Sequence, residues 1–137
     1  MSLYLCIYAG DREIDGVEVG PYADFNAFRD AVARELGGNE ADGPCPTLLT
    51  HSDCDGEWPP EDCDRLRREL AAIAAALGKR PAVDFPSAWQ KEVARSIGLE
   101  PRNASECFID VDGEFLVERL QRLAEIAVQR HLPILFQ

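Results

Sequence analysis

Apolar positions change period several times along this chain, and each change marks an element. "SLYLCIYA" (2–9) is a short apolar run closed by "GDRE", which predicts a buried strand. "EIDGVEVG" follows, with Asp15-Gly16 as a turn signal between Ile14 and Val17–Val19, and predicts a small hairpin or an edge strand. From Tyr22 the period lengthens. Phe25, Phe28, Val32 and Leu36 recur at spacings of three and four, one apolar stripe on a helix, with Asp24 placed to cap it and Gly37-Gly38 to stop it. "NEADGPCP" reads as a loop, and "PTLLTHS" (46–52) as the next strand.

Pro59-Pro60-Glu61-Asp62 then opens a helix, with proline in the first turn and acids at the positive dipole end. Leu66, Leu70, Ile73 and Leu77 form its buried stripe; Arg65, Arg67, Arg68 and Glu69 form a solvated face. "GKRPAVDFP" is a broken connection. "SAWQKEVARSIG" is a shorter helix capped by Ser87 and burying Trp89, Val93 and Ile97. After the loop "LEPRNASE", "CFIDVDG" (107–113) predicts a further strand or extended segment. Leu116, Leu120, Leu123 and Ala127 line a last long helix, and "PILFQ" ends the chain as a short strand. The order β(β)αβααβαβ predicts an α+β (or α/β) fold, a small sheet of about four strands covered by helices. No linker composition divides it, so residues 1–137 are expected to form one domain.

Charge narrows the function classes. The chain of 137 residues carries 25 acidic and 14 basic residues, a formal net charge of −11. Nucleic-acid binding needs basic patches to neutralise phosphates, so no nucleic-acid partner is expected. Five cysteines (Cys6, Cys45, Cys54, Cys63 and Cys107) include no C-x-x-C pair, which argues against a disulfide framework or a zinc knuckle and fits a reducing compartment. The first residues lack a basic region followed by a long apolar core, and no apolar run reaches membrane-spanning length. A cytoplasmic protein with no membrane partner is expected.

The candidate chemistry lies in two carboxylate turns. "THSDCDGEWPPEDC" (50–63) and "FIDVDGEFL" (108–116) both contain Asp-x-Asp-Gly-Glu. An EF-hand loop places its glycine at position six; counted from Asp53 or from Asp110, glycine arrives at position four, so the calcium pattern fails twice. The second turn also looks like the nucleophile motif of haloacid-dehalogenase-type phosphatases, in which Asp110 would attack phosphorus and Asp112 act as acid and base. Glu114 stands where that motif has threonine, and little sequence follows for the downstream lysine and acid. A third chemistry is a mononuclear metal on His51, Asp53 and Asp55, which alternate and would share one face of an extended segment. A metal-dependent hydrolase drawing on Asp53, Asp55, Asp110 and Asp112 is the corresponding alternative function. Against these stands a structural reading: an Asp-x-Asp-Gly turn supplies side-chain acceptors to its own backbone and a glycine for the left-handed residue, and Trp58 pins the loop.

"LLTHSDCDGEW", "CFIDVDGEFLVERL" and the ending "LPILFQ", together with "LYLCIY" and "EIDGVEVGPYADFNAFR", resemble in the same order one of the immunity protein families of bacterial polymorphic toxin systems, the family numbered seventy. The resemblance covers nearly the whole chain. It implies a small cytoplasmic α+β protein that neutralises a cognate secreted toxin by binding it, with no catalysis and no cofactor. Many such toxins act on nucleic acid and are basic, and an acidic inhibitor is steered to them. On that reading Asp53, Asp55, Glu57, Trp58, Asp110, Asp112 and Glu114 are the candidate toxin-binding residues. The tryptophan would serve as the anchor and the acids as its complementary surround. Equivalent strand-to-helix junctions are expected to gather both turns on one face.

Overall fold

The computed structural model describes residues 2–37 and 43–137. Strand β1 (Ser2–Ala9) turns at Gly10-Asp11 into β2 (Arg12–Pro21). Helix α1 (Tyr22–Leu36) follows directly. A five-residue helix, α2 (Pro46–Thr50), leads through the first carboxylate turn to the two-residue strand β3 (Glu57–Trp58). Then come α3 (Pro60–Gly78), α4 (Ala88–Ile97), a 3₁₀ turn (Ala104–Cys107), α5 (Leu116–Arg130) and β4 (Ile134–Phe136). The sheet is antiparallel throughout, in the order β2-β1-β4-β3. The fold is α+β. Its core joins Leu3, Leu5 and Ile7 of β1 to Phe25, Phe28 and Val32 of α1, the Leu66-Leu70-Ile73-Leu77 stripe of α3 and the Leu116-Leu120-Leu123-Ala127 stripe of α5. These stripes are the ones the periodicity predicts.

Several expected details are corrected, each by a contact distant in sequence. "PTLLTHS" is α2, not a strand. Pro46 starts it, and the carboxylate of Glu69 on α3 accepts from Thr47 N and Leu48 N (3.1 and 3.0 Å), which no short-range pattern reveals. Glu69 is accordingly buried rather than on the solvated face of α3. "CFIDVDG" does not join the sheet as a strand. Its extended part closes on its own continuation, with Ile109 bridging Phe115 and Leu116 N donating to Phe108 O at 2.9 Å. The four strands of the sheet therefore include β3, from inside the acidic stretch, in place of either segment.

Asp15-Gly16 lies inside β2 rather than at a turn. Tyr4 crosses the glycine: a Cβ on Gly16 would lie 2.0 Å from the Tyr4 hydroxyl oxygen, so a larger residue there would push that side chain aside. Asp24 does not cap α1 but sits within its first turn, where it accepts from Trp89 Nε1 at 2.7 Å. Ser87 holds the N-cap position of α4 as expected, with its carbonyl accepting from Lys91 N at 3.3 Å, but its hydroxyl makes no cap bond. Of the expected α4 stripe, Ile97 is exposed, while Gln90 and Ala94 are buried instead. Gly37 ends α1 at φ 123° as expected. Gly38 and the first four residues of the "NEADGPCP" loop lie outside the described residues.

Candidate functional site

The first turn is built around His51. Its ring stacks on Phe136 (4.1 Å between centroids, 20° between planes) and tilts against Trp58 at 5.3 Å. Both ring nitrogens lie against backbone carbonyls: Nδ1 is 2.8 Å from Ser52 O and Nε2 2.9 Å from Glu57 O. Either neutral tautomer donates one of these bonds, and the protonated ring donates both. Neither nitrogen is directed toward Asp53 or Asp55, so the expected alternation of three ligands on one extended face does not occur. The chain bends at residues 53–55 and the histidine turns inward.

Gly56 makes the bend workable. Its φ of 86° is strained for other residues, a Cβ there would lie 3.5 Å from His51 Cε1, and its carbonyl accepts from Phe136 N at 3.0 Å. Arg29 of α1 donates to Leu48 O and His51 O (3.2 and 2.7 Å), satisfying carbonyls at the open end of α2. Asp53 accepts from Asn26 Nδ2 at 2.8 Å, and that bond holds its carboxyl below the usual carboxylate value. Asp55 and Glu57 are exposed.

Trp58 is interior, 1% exposed. Its ring meets Phe136 edge-on at 4.6 Å and its Nε1–H donates to Thr47 O at 3.0 Å. The indole joins α2 to the β3–β4 edge of the sheet and is not available at the surface as an anchor.

The second turn is clamped differently. Asp110 is 1% exposed, and its Oδ1 accepts from Asp112 N and Glu114 N (2.9 and 3.0 Å). This is the side-chain-to-backbone turn that the structural reading of Asp-x-Asp-Gly describes, with Gly113 at φ 83°. Burial pushes the Asp110 carboxyl above its usual value, against the pull of the two backbone N–H groups. Arg119 on α5, itself buried, faces the turn. Its Nε lies 3.2 Å from Glu114 and 3.9 Å from Asp110, and its Nη2 reaches Asp15 at 3.3 Å and Gly16 O at 2.8 Å. Asp112 and Glu114 stay exposed. Arg119 had no signal in the sequence, since it interrupts an apolar stripe by one position and its partners are remote.

The two turns do not gather on one face with Trp58. The first runs into β3 at one edge of the sheet. The second packs on β2 at the other, where Val111 N donates to Glu18 O at 3.0 Å. The expectation of a shared edge assumed parallel strands with matching junctions, and the sheet is antiparallel. Asp53 and Asp55 therefore do not combine with Asp110 and Asp112. Among the described residues, no group of three or more histidine, cysteine, aspartate or glutamate side chains is arranged to hold a metal ion. Nor, among those residues, is any helix long and apolar enough to cross a membrane.

Comparison with known families is decisive where the geometry alone is not. The family model described as Immunity protein 70 matches residues 3–136, nearly the whole chain. The chain belongs to the Immunity protein 70 family. Its matched region takes in both carboxylate turns, the aromatic cluster around His51 and all four strands. No curated protein and no solved structure matches the chain significantly. For this member of the Immunity protein 70 family, the arrangement of its own residues is therefore the guide to how it works.

Proposed function

We propose that this protein is an immunity protein that binds and neutralises a cognate polymorphic toxin in the bacterial cytoplasm, by protein–protein contact, without catalysis or a cofactor. The observation that carries the reading is membership of the Immunity protein 70 family over residues 3–136. The surface supports it. With a formal net charge of −11, the chain attracts a basic partner over distances of about a Debye length, which raises the association rate. Asp55 and Glu57 on one edge and Asp112 and Glu114 on the other hold carboxylates in solvent. Their turns are fixed by Asn26, His51, Asp110 and Arg119, so little ordering is required on binding. Of the seven candidates, Trp58 and Asp110 act from the interior as supports for these turns, and the exposed acids are the ones placed to meet a partner.

The test is co-expression of the full chain with a candidate cognate toxin domain. Rescue of growth, with a stable complex of the two proteins on gel filtration and an association rate that falls as salt rises, is the expected result. Growth arrest unrelieved by the chain, with no complex at micromolar concentration, would reject the immunity role. A toxin domain recovered chemically altered instead of bound would reject the non-catalytic reading.

A further inference from the structure

We infer that the face formed by α4 and the second carboxylate turn is the surface that seats the partner, and that it fits a cationic protein surface with an apolar centre. The inference rests on the immunity reading above and assigns it a place. Among the described residues, large apolar side chains are exposed at Val83, Ile97 and Val111. Two of these three share one patch. Ile97 is 56% exposed and Val111 37%. Gly113 joins them: a Cβ there would lie 2.9 Å from Ile97 Cδ1 and 3.2 Å from Val93 Cγ1. Gly20 continues the patch, since a Cβ at that position would meet Trp89 at 3.1 Å and Val111 at 3.5 Å. Trp89, Val93 and Ile97 follow one another at intervals of four along α4, so the two glycines let one helix face and one turn close into a continuous apolar strip. Single exposed apolar residues are ordinary, but an apolar strip edged by polar groups is how interfaces are built.

The rim decides the partner's chemistry. At 100° per residue, Glu92 falls on the Trp89 side of the strip, where it pairs with Arg95 at 3.5 Å, while Lys91 falls on the far side of the helix. Asp112 and Glu114 flank Gly113 in sequence, and Glu18 is the exposed residue of β2 whose carbonyl holds Val111 N. Glu92 is paired with Arg95 and Glu114 with Arg119, so Glu18 and Asp112 are the rim's exposed carboxylates without an ion pair among the described residues. Val83 has a more basic setting: it lines one cleft with Arg34, Arg80 and Glu35 and another with Lys91, Arg95 and Asp84, two cations to one acid in each. A basic partner selects the acid-edged strip. At the first turn, by contrast, the large apolar side chains Trp58 and Phe136 are buried, so that edge contributes charge without an apolar centre.

The experiment uses the full chain and the toxin domain of the co-expression test, with affinity and rates measured by biolayer interferometry. Ile97→Lys and Val111→Lys are expected to weaken binding at least roughly tenfold each, mainly through faster dissociation. The lysine stem keeps the packing on Gly113, so melting temperatures should stay near wild type. Asp112→Lys should slow association and flatten its salt dependence. Val83→Lys, the control on the other exposed apolar site, should leave affinity unchanged. If wild type binds and both Ile97→Lys and Val111→Lys bind within about threefold of it, the assigned face is wrong while the immunity role stands. If wild type does not bind, the role fails and the face with it. If sedimentation shows that the chain self-associates and that Ile97→Lys abolishes this, the strip seats a second copy and the inference is overturned.

Discussion

Replacing Trp58 by alanine tests whether the most conspicuous residue of the acidic stretch is structural. The indole is fully enclosed by His51, Phe136 and α2. Truncating a buried tryptophan leaves a cavity and forfeits its transfer free energy, about 3–5 kcal/mol. The Nε1–H···O bond to Thr47 adds about 1 kcal/mol, because that carbonyl belongs to a five-residue helix too short to satisfy it internally. A total of about 4–6 kcal/mol is a large share of the roughly 5–15 kcal/mol that holds a domain of this size folded. At about 3–4 °C per kcal/mol, the melting temperature should fall by roughly 12–24 °C. Trp58→Phe keeps most of the contact with Phe136 and loses the hydrogen bond, so its loss should be about 1–2 kcal/mol. Guanidinium unfolding of both variants, followed by far-ultraviolet circular dichroism, provides the measurement. A Trp58→Ala protein as stable as wild type to within about 1 kcal/mol would refute the packing argument, since cavity creation at a fully buried ring does not leave stability unchanged. Toxin affinity per folded molecule should be unaltered in Trp58→Phe.

Asp110→Asn should cost less than about 1 kcal/mol, because the amide oxygen still accepts from Asp112 N and Glu114 N, whereas Asp110→Ala should lose about 2–3 kcal/mol in thermal unfolding. Burial raises the folded-state value of Asp110, so the folded chain holds this proton more tightly than the unfolded chain. Wild type should therefore gain stability relative to Asp110→Asn as pH falls toward the ordinary carboxylate value, and lose that gain as pH rises through the raised one; the opposite slope would contradict the burial argument. Native thiol titration should find one fast group, Cys54, and four slow ones. Burial pushes Cys45 up to about 11 and Cys63 up to about 12, and raises Cys6 and Cys107, so a second rapid equivalent would contradict the core. Calorimetry with calcium, magnesium, manganese and zinc should show no site near micromolar affinity; a one-to-one isotherm lost on Asp53→Asn would overturn this.

The helices with long apolar stripes were legible in the sequence. Phe25-Phe28-Val32, Leu66-Leu70-Ile73-Leu77 and Leu116-Leu120-Leu123-Ala127 each repeat over several turns, and burying a stripe of that length outweighs any local competitor. The terminal strands β1 and β4 were legible too, as were the proline start of α3 and the left-handed turn glycine of each Asp-x-Asp-Gly. Tertiary structure decided the short segments. A segment with two leucines has too few turns to show a period; within "PTLLTHS" Pro46 starts the helix Pro46–Thr50, and Glu69 of α3, remote in sequence, receives its first N–H groups. Asp110 and Asp53 share a motif, yet one is buried against Arg119 and the other stays at the surface with Asn26, a difference set by which sheet edge each turn packs on. Ile97 keeps perfect helical spacing and is nevertheless exposed. Periodicity reports that a helix has an apolar face; what covers that face depends on partners far away in sequence, and here the described fold leaves Ile97 uncovered.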